Sequence, residues 1–474
     1  MNFISFEFLA FFAITFALYA VLSHKRQNLI LLVASYIFYG WWDWRFLSLI
    51  FISSVVDYSC GRLADPSREK AKSDTVRKYA LTISILVNLG ILGFFKYFDF
   101  FSGSLVSAFS RIGWQIDPWE LNIILPVGIS FYTFQTMSYT WDVYRGQLKS
   151  TDRFLDFMLY VSFFPQLVAG PIERGINLLP QILAPRKITL EKFYSGAQLA
   201  FWGFFKKMVI ADGLAQIVNP TFDTVNPDAP SVILATYAFA FQIYCDFSGY
   251  TDIARGIARM MGFDIRLNFN LPHFSKNPSD FWKRWHISLS SWLRDYLYIP
   301  LGGNRGSSFL TVRNLMLTMV IGGLWHGAAW HFILWGAFHG VLLIAFRLVS
   351  SKKEIGTESR MSPAVAVLKI AGYFQLTCFG WLLFRVRSVR QLKSIGESFI
   401  ETLKWENVNS ADWSLFLCLT VPLVLFEMYQ YITREAEPWR NWSWYIRVPF
   451  YLILFYAIML LGVPDASDFI YFQF

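Results

Sequence analysis

Charge is what this sequence has least of. Asp, Glu, Lys and Arg make up 16% of its 474 residues, where a soluble globular chain carries about a quarter. Most soluble fold classes are excluded on that ground. Cysteine is scarce and scattered: Cys60, Cys245, Cys378 and Cys418 form no CxxC and no regular spacing. Neither a disulfide framework nor a zinc site is suggested, and no metal is expected. Three of the four fall in apolar runs, where a lone Cys behaves as a small hydrophobe. There is no low-complexity tract, and the two halves show no internal repeat. The missing repeat counts against a transporter built from inverted halves. The N-terminus has no basic segment, and no small-residue cleavage site follows Leu22. The segment from Phe8 to Leu22 is therefore expected to be a retained first span and not a signal peptide.

What is present is apolar and aromatic. Hydrophobic residues make up 55% of the chain, including 19 Trp, 23 Tyr and 48 Phe. An all-α polytopic integral membrane protein is expected, surrounded by lipid. Lys and Arg outnumber Asp and Glu by 42 to 33. The excess sits in short clusters between apolar runs, which fits cytoplasmic retention of loops better than nucleic-acid binding. A spanning helix takes about 20 mostly apolar residues. Candidate spans are 6–23, 28–42, 45–60, 79–101, 121–141, 154–170, 193–218, 231–262, 310–325, 327–349, 363–385, 413–432 and 446–463. The pair 28–42 and 45–60 reads as two spans or one re-entrant hairpin, giving roughly 11 to 13 membrane segments in a single domain over 1–474.

The loop 62–78 holds six basic and three acidic residues and is placed in the cytoplasm, as are His24-Lys25-Arg26 and segment 350–362. The Trp41-Trp42-Asp43-Trp44 turn then faces the opposite interface. The stretch 102–120, with Arg111 as its sole basic residue, is a candidate extracytoplasmic loop.

The longest weakly hydrophobic stretch is 264–309. Asn277 followed by Pro278 and Asp280 is a helix start. At about 100° per residue from Phe281, the residues Trp282, Trp285, Leu289, Trp292, Leu293, Tyr296 and Leu297 share one half of a helical wheel. An interfacial or re-entrant amphipathic helix is expected on the cytoplasmic side, with His286 on its apolar half. Among six histidines, His326 lies deepest in an apolar run, GGLWHGAAWHFILWGAFHG. An ionisable residue inside a membrane segment is by default a functional candidate. Imidazole titrates near neutrality and suits a general base acting on a hydroxyl. The alternative is a packing histidine that satisfies a nearby carbonyl. On one regular helix His331 and His339 would point roughly 140° away from His326, so they are read as structural. His24 is read as a loop residue and His273 as part of a helix approach. Asp246, Ser248, Tyr250 and Asp252 are polar groups in an apolar run that line a cavity or fix helix contacts. Indoles at Trp282, Trp285, Trp292, Trp325 and Trp330 are expected around the two histidines.

The block PSDFWKRWHISLSSWLRDYLYIPLGGNRG followed by GGLWHGAAWHFILWGAFHG resembles the membrane-bound O-acyltransferase (MBOAT) family, closest to its bacterial alginate-acetylating branch. SFFPQLVAGPIER at 162–174, YCDFSGYTDIARGIARMMGF at 244–263 and the closing FIYFQF extend the resemblance over nearly the whole chain. It implies a ring of membrane helices and re-entrant segments around a tunnel. His326 matches the family's catalytic histidine. His286 matches the second active-site position, which is Asn or Asp in many eukaryotic members. It implies an acetyltransferase of the bacterial inner membrane, with cytoplasmic acetyl-CoA as donor substrate and no separate cofactor. The acceptor would be an exported polysaccharide or a periplasmic partner acetyltransferase. Lys276, Lys283, Arg284, Arg294 and Arg305 are then candidates for the donor's phosphates; as a bland alternative they set orientation only. Trp285, Trp325, Asp246, Ser248, Tyr250 and Asp252 are candidates for the tunnel wall. Sibling activities, peptidoglycan O-acetylation or teichoic-acid D-alanylation, stay open, and a non-enzymatic transporter is the reading from another class.

Overall fold

The computed structural model describes residues 1–68, 72–117, 121, 123–168, 170–350, 362–401, 409–463 and 469–470. Most of the 350–362 loop, with Lys352, Lys353 and Arg360, and the last four residues of FIYFQF lie outside them. Among the described residues there is no strand, and eight helical segments are long and apolar enough to cross a membrane. The chain is a multi-pass integral membrane protein. Serines cap several helices: Ser73, Ser307 and Ser362 accept the backbone N–H of Val76, Leu310 and Val365. Pro363 then opens the Pro363–Arg385 helix at the expected residue.

Several expectations change. The pair at 28–42 and 45–60 forms two helices, His24–Asp43 and Leu47–Ala64, joined by a tight turn in which the Asp43 carboxylate accepts the Arg45 N–H. His24 is the first residue of a helix, not a loop residue, and its Nε2 lies 2.8 Å from the Ile182 carbonyl. The stretch 102–120 is not a loop throughout: helix Asp74–Leu92 continues through a π turn, Gly93–Tyr97, into helix Phe98–Arg111. Residues 98–111 hold no proline, so nothing stops that helix. The span expected at 121–141 begins only at Ile129, behind Pro126 and the left-handed Gly128 (φ 75°). The span expected at 154–170 is two short buried helices, Phe154–Ser162 and Phe164–Leu167. Phe163 is non-helical between them, and Pro165 sits in the first turn of the second, where a missing N–H is tolerated.

Chain contacts divide the protein into two compact units, residues 1–200 with 253–266 and residues 201–252 with 267–474. In the first, the fully buried Asp57 accepts hydrogen bonds from Ser84 Oγ, Asn88 Nδ2 (2.7 Å) and Thr140 Oγ1 (2.9 Å). Its polar demand is met by side chains of two neighbouring helices, Asp74–Leu92 and Ile129–Tyr144, as burial in a membrane requires. Arg186 similarly binds Tyr19 Oη at 2.9 Å, Asn28 Oδ1 at 2.7 Å and the Ile182 carbonyl at 3.1 Å.

In the second unit the helices Ser308–His326 and Trp330–Val349 cross with almost no space between their backbones. A Cβ on Gly323 would lie 2.2 Å from the Phe332 carbonyl oxygen, and one on Gly336 would lie 2.4 Å from that of Met319. Small residues at such a crossing replace the hydrophobic drive that lipid does not supply. Gly336→Ala is expected to push the helices apart at a cost of about 1–3 kcal/mol, seen as a lower thermal midpoint of the purified protein. An unchanged midpoint would show that the crossing yields freely.

Candidate active site

His326 is the last residue of its helix, and the chain reverses through Gly327 and Ala329, both extended, into Trp330–Val349. His331 and His339 therefore lie on a different helix from His326, and the roughly 140° expected along one continuous helix does not apply to them. His339 is nonetheless held in ring packing, with Trp335 at 4.8 Å, Trp282 at 5.2 Å and Phe281 at 5.8 Å. His331 packs on Phe332 at 4.1 Å. His273, in the short turn Pro272–Phe274, is enclosed by Phe241 and Tyr244.

His286 does not project from an unbroken amphipathic helix. Asn277 caps the helix Pro278–Arg284 as expected, accepting the Asp280 N–H at 2.9 Å. The helix then stops. Trp285 is extended, His286 is left-handed (φ 42°, ψ 54°), and a second helix runs Ile287–Leu293 before a π turn at Arg294–Tyr298. The break has a physical cause outside the segment. The Asn270 N–H donates to the Arg284 carbonyl and the Ile287 N–H to the Asn268 carbonyl, each at 2.9 Å. These two bonds lay the chain on either side of His286 against residues 268–270, so the wheel drawn from Phe281 to Leu297 holds only piecewise.

The break brings the imidazoles of His286 and His326 to 6.4 Å between ring centroids. Both are buried, at 0% and 4% exposure. Aromatic rings wall them in. Phe247 meets His286 edge-on at 4.6 Å, and Trp325 lies 5.8 Å from His286 and 5.2 Å from His326. Trp335 and Phe384 approach His326 at 5.0 and 5.4 Å. Trp285 is buried against Phe269, Phe281 and Trp381. Trp330, expected in this cluster, is 57% exposed, and Trp335 takes the place beside His326. The turn at 327–329 resets the helical phase, which no count along the sequence would include.

Asp246, Ser248 and Asp252 meet two lysines that sequence reasoning passed over. Lys206 Nζ lies 2.6 Å from Asp252 and 3.0 Å from Ser248 Oγ, while Lys207 Nζ lies 2.8 Å from Asp212 and 2.7 Å from Asp246. Both lysines sit on a π turn, Phe205–Ala211. Its i→i+5 bonding puts more residues into each turn, so neighbouring side chains diverge less than on an α-helix. Asp246 also accepts the Ile470 N–H at 2.8 Å, and Tyr250 packs on the Phe469 ring. Tyr244 Oη donates to the buried Glu427 at 2.6 Å. Two adjacent Lys in one apolar run and two Asp in the next were the available signal for this network.

The five candidate donor-binding cations differ in setting. Lys276 and Arg284 both lie over the Tyr431 ring, at 6.0 and 5.9 Å. Arg284 is held by Asp280 at 2.8 Å, and Arg294 by Asp295 at 2.6 Å. The Asp295 carboxylate bound to Arg294 raises that guanidinium's pKa above its ordinary value. Lys283 and Arg305 are exposed.

A buried pair of imidazoles inside an aromatic-walled, all-helical membrane unit can carry a proton between a nucleophile and a leaving group, as a group-transferring membrane enzyme requires. Sequence comparison gives that class its name: the chain belongs to the membrane-bound O-acyltransferase (MBOAT) family, whose profile matches residues 36–354. It is an acyltransferase. It is 39% identical over 432 residues to a probable alginate O-acetylase, AlgI, of Azotobacter vinelandii, covering 89% of this chain and 83% of that one. A peptidoglycan O-acetyltransferase of Helicobacter pylori is 34% identical, covering 83% of this chain and 77% of its own. A teichoic acid D-alanyltransferase of Bacillus subtilis is 30% identical, covering 56% of this chain and 69% of its own.

Proposed function

We propose that this protein, in a bacterial inner membrane, moves acetyl from cytoplasmic acetyl-CoA to hydroxyls of an exported, alginate-like polysaccharide or to a periplasmic acetyltransferase that serves it. The observation that carries this reading is the buried pair of imidazoles, 6.4 Å apart. His326 takes the proton of the acceptor hydroxyl as its oxygen attacks the thioester carbon. The N–H of His286 hydrogen-bonds the carbonyl oxygen as charge gathers there. The tetrahedral intermediate collapses by breaking the C–S bond, and the CoA thiolate receives the proton from the His326 imidazolium. The ester and CoA thiol leave, and both histidines are neutral again. The rings of Phe247, Trp325, Trp335 and Phe384 occupy the volume around the pair, which disfavours water as a competing nucleophile. The exposed Lys283 and Arg305, with the Lys276–Arg284 pair, are suited to the donor's phosphates.

Acetylation of polysaccharide is favoured over the sibling activities because the AlgI relative is more similar, over more of the chain, than the peptidoglycan and teichoic-acid enzymes. The test supplies the purified protein in nanodiscs with radiolabelled acetyl-CoA and polymannuronate oligosaccharides. Release of CoA matched by label in the sugar is the expected result. Transfer that requires a D-alanyl carrier protein, or label entering only glycan strands of peptidoglycan, would overturn the reading.

A further inference from the structure

The left-handed backbone of His286 needs an explanation, because a non-glycine residue at positive φ persists only where its surroundings impose it. Asn270 holds the residue before Trp285, and Asn268 holds the two residues after His286. Asn268 is fully buried, its carbonyl accepts the Ile287 N–H, and its Oδ1 accepts both the Ser288 N–H at 3.1 Å and the Ser288 Oγ–H at 2.9 Å. The two residues following His286 are thus pinned to a single side chain and its own peptide. So pinned, the chain turns the His286 ring back onto the helix it caps, and Nδ1 accepts the Leu289 N–H at 3.4 Å, with Ser288 Oγ at 3.5 Å. A backbone N–H can only donate, so Nδ1 must offer its lone pair, and the neutral ring carries its proton on Nε2.

We infer that Asn268 is a positioning residue for the acyl transfer: its bonds to Ile287 and Ser288 hold His286 left-handed, with Nδ1 accepting and the ring proton on Nε2. This rests on the reading of His286 given above. It divides the work of the pair. With its lone pair committed at Nδ1 and its proton at Nε2, His286 serves as a hydrogen-bond donor to the thioester oxygen. The base function falls to His326. Asn268 touches neither substrate and acts through His286 alone.

The test is a double-mutant cycle in the full-length protein in nanodiscs, with acetyl-CoA as donor and polymannuronate oligosaccharides as acceptor. Partners that orient a functional histidine at metal sites are worth on the order of 10-fold to 100-fold, and Asn268→Ala is expected to lower kcat per folded molecule by about 10-fold on that scale. The KM for acetyl-CoA should not change, because the donor carbonyl is polarised mainly in the transition state. In the His286→Ala background the same substitution should change kcat no further. An equal fall in that background, or a fall in thermal midpoint with kcat intact, would overturn the clamp. Ser288→Ala leaves the Asn268 backbone bond in place and removes only the hydroxyl. It carries the test if Asn268→Ala does not fold: a fall in kcat that vanishes without His286 supports the clamp, and an unchanged kcat overturns it. Wild-type turnover by His286→Ala would remove the reading of the site and the clamp with it, whereas wild-type turnover by Asn268→Ala alone removes only the clamp.

Discussion

His326→Ala is expected to lose acetyl transfer by about 10²–10⁴-fold, the worth of a positioned general base. The loss is about 3–5 kcal/mol of transition-state stabilisation. The substitution also empties the space that the imidazole fills between Trp335 and Phe384, so a stability effect must be separated from a chemical one. His326→Gln provides the separation. Its amide occupies a similar volume and retains a donor and an acceptor, but it takes up no proton at neutral pH. Both variants should therefore transfer acetyl at the same low rate, while Gln keeps the thermal midpoint closer to the parent. The measurement is label transferred per folded molecule, with the folded fraction taken from size-exclusion profiles. Parental transfer by either variant would sink the assignment of His326 as base.

The second large effect is on stability. Lys207 is fully buried between Asp212 and Asp246. Lys207→Ala leaves two carboxylates facing each other without that cation. Removing one partner of a buried ion pair typically costs about 3–5 kcal/mol, a large share of the 5–15 kcal/mol by which proteins are usually stable. The expected outcome is a strongly reduced yield of folded protein and a markedly lower thermal midpoint. Lys207→Met combined with Asp212→Asn and Asp246→Asn should recover much of the loss, because neutral groups of similar size need no cation. If Lys207→Ala melted with the parent, the network would carry no stability. If the triple variant were worse than the single one, charge would not be the cause.

Much of this arrangement was readable from the sequence, and what was missed shares a cause. Both candidate catalytic histidines stand in contiguous motifs, Arg-Trp-His at 284–286 and Trp-His-Gly at 325–327, so they could be found without knowing the fold. The bounds of Pro363–Arg385 were local too, written by a capping serine and a proline. The break at Trp285 was not local. Its cause lies in residues 268–270, which a wheel beginning at Phe281 does not contain. The same holds for Trp330 and Trp335, whose exchange follows from a reversal at Gly327. Lys206 and Lys207 were visible as charges in an apolar run. Their pairing with Asp252 and Asp246 depends on a π turn for which hydrophobic periodicity has no signature.

The backbone at position 286 also restricts what natural variation or design can place there. At φ 42° and ψ 54°, β-branched and bulky side chains are strongly disfavoured, whereas Gly enters freely and Asn, Asp and His at less cost than other side chains. The His found here belongs to that small permitted set. Position 286 is therefore filtered by conformation before chemistry chooses among the survivors. A library randomised at this codon and sorted only for folded protein, with no selection for activity, should return those four residues well above their input frequency.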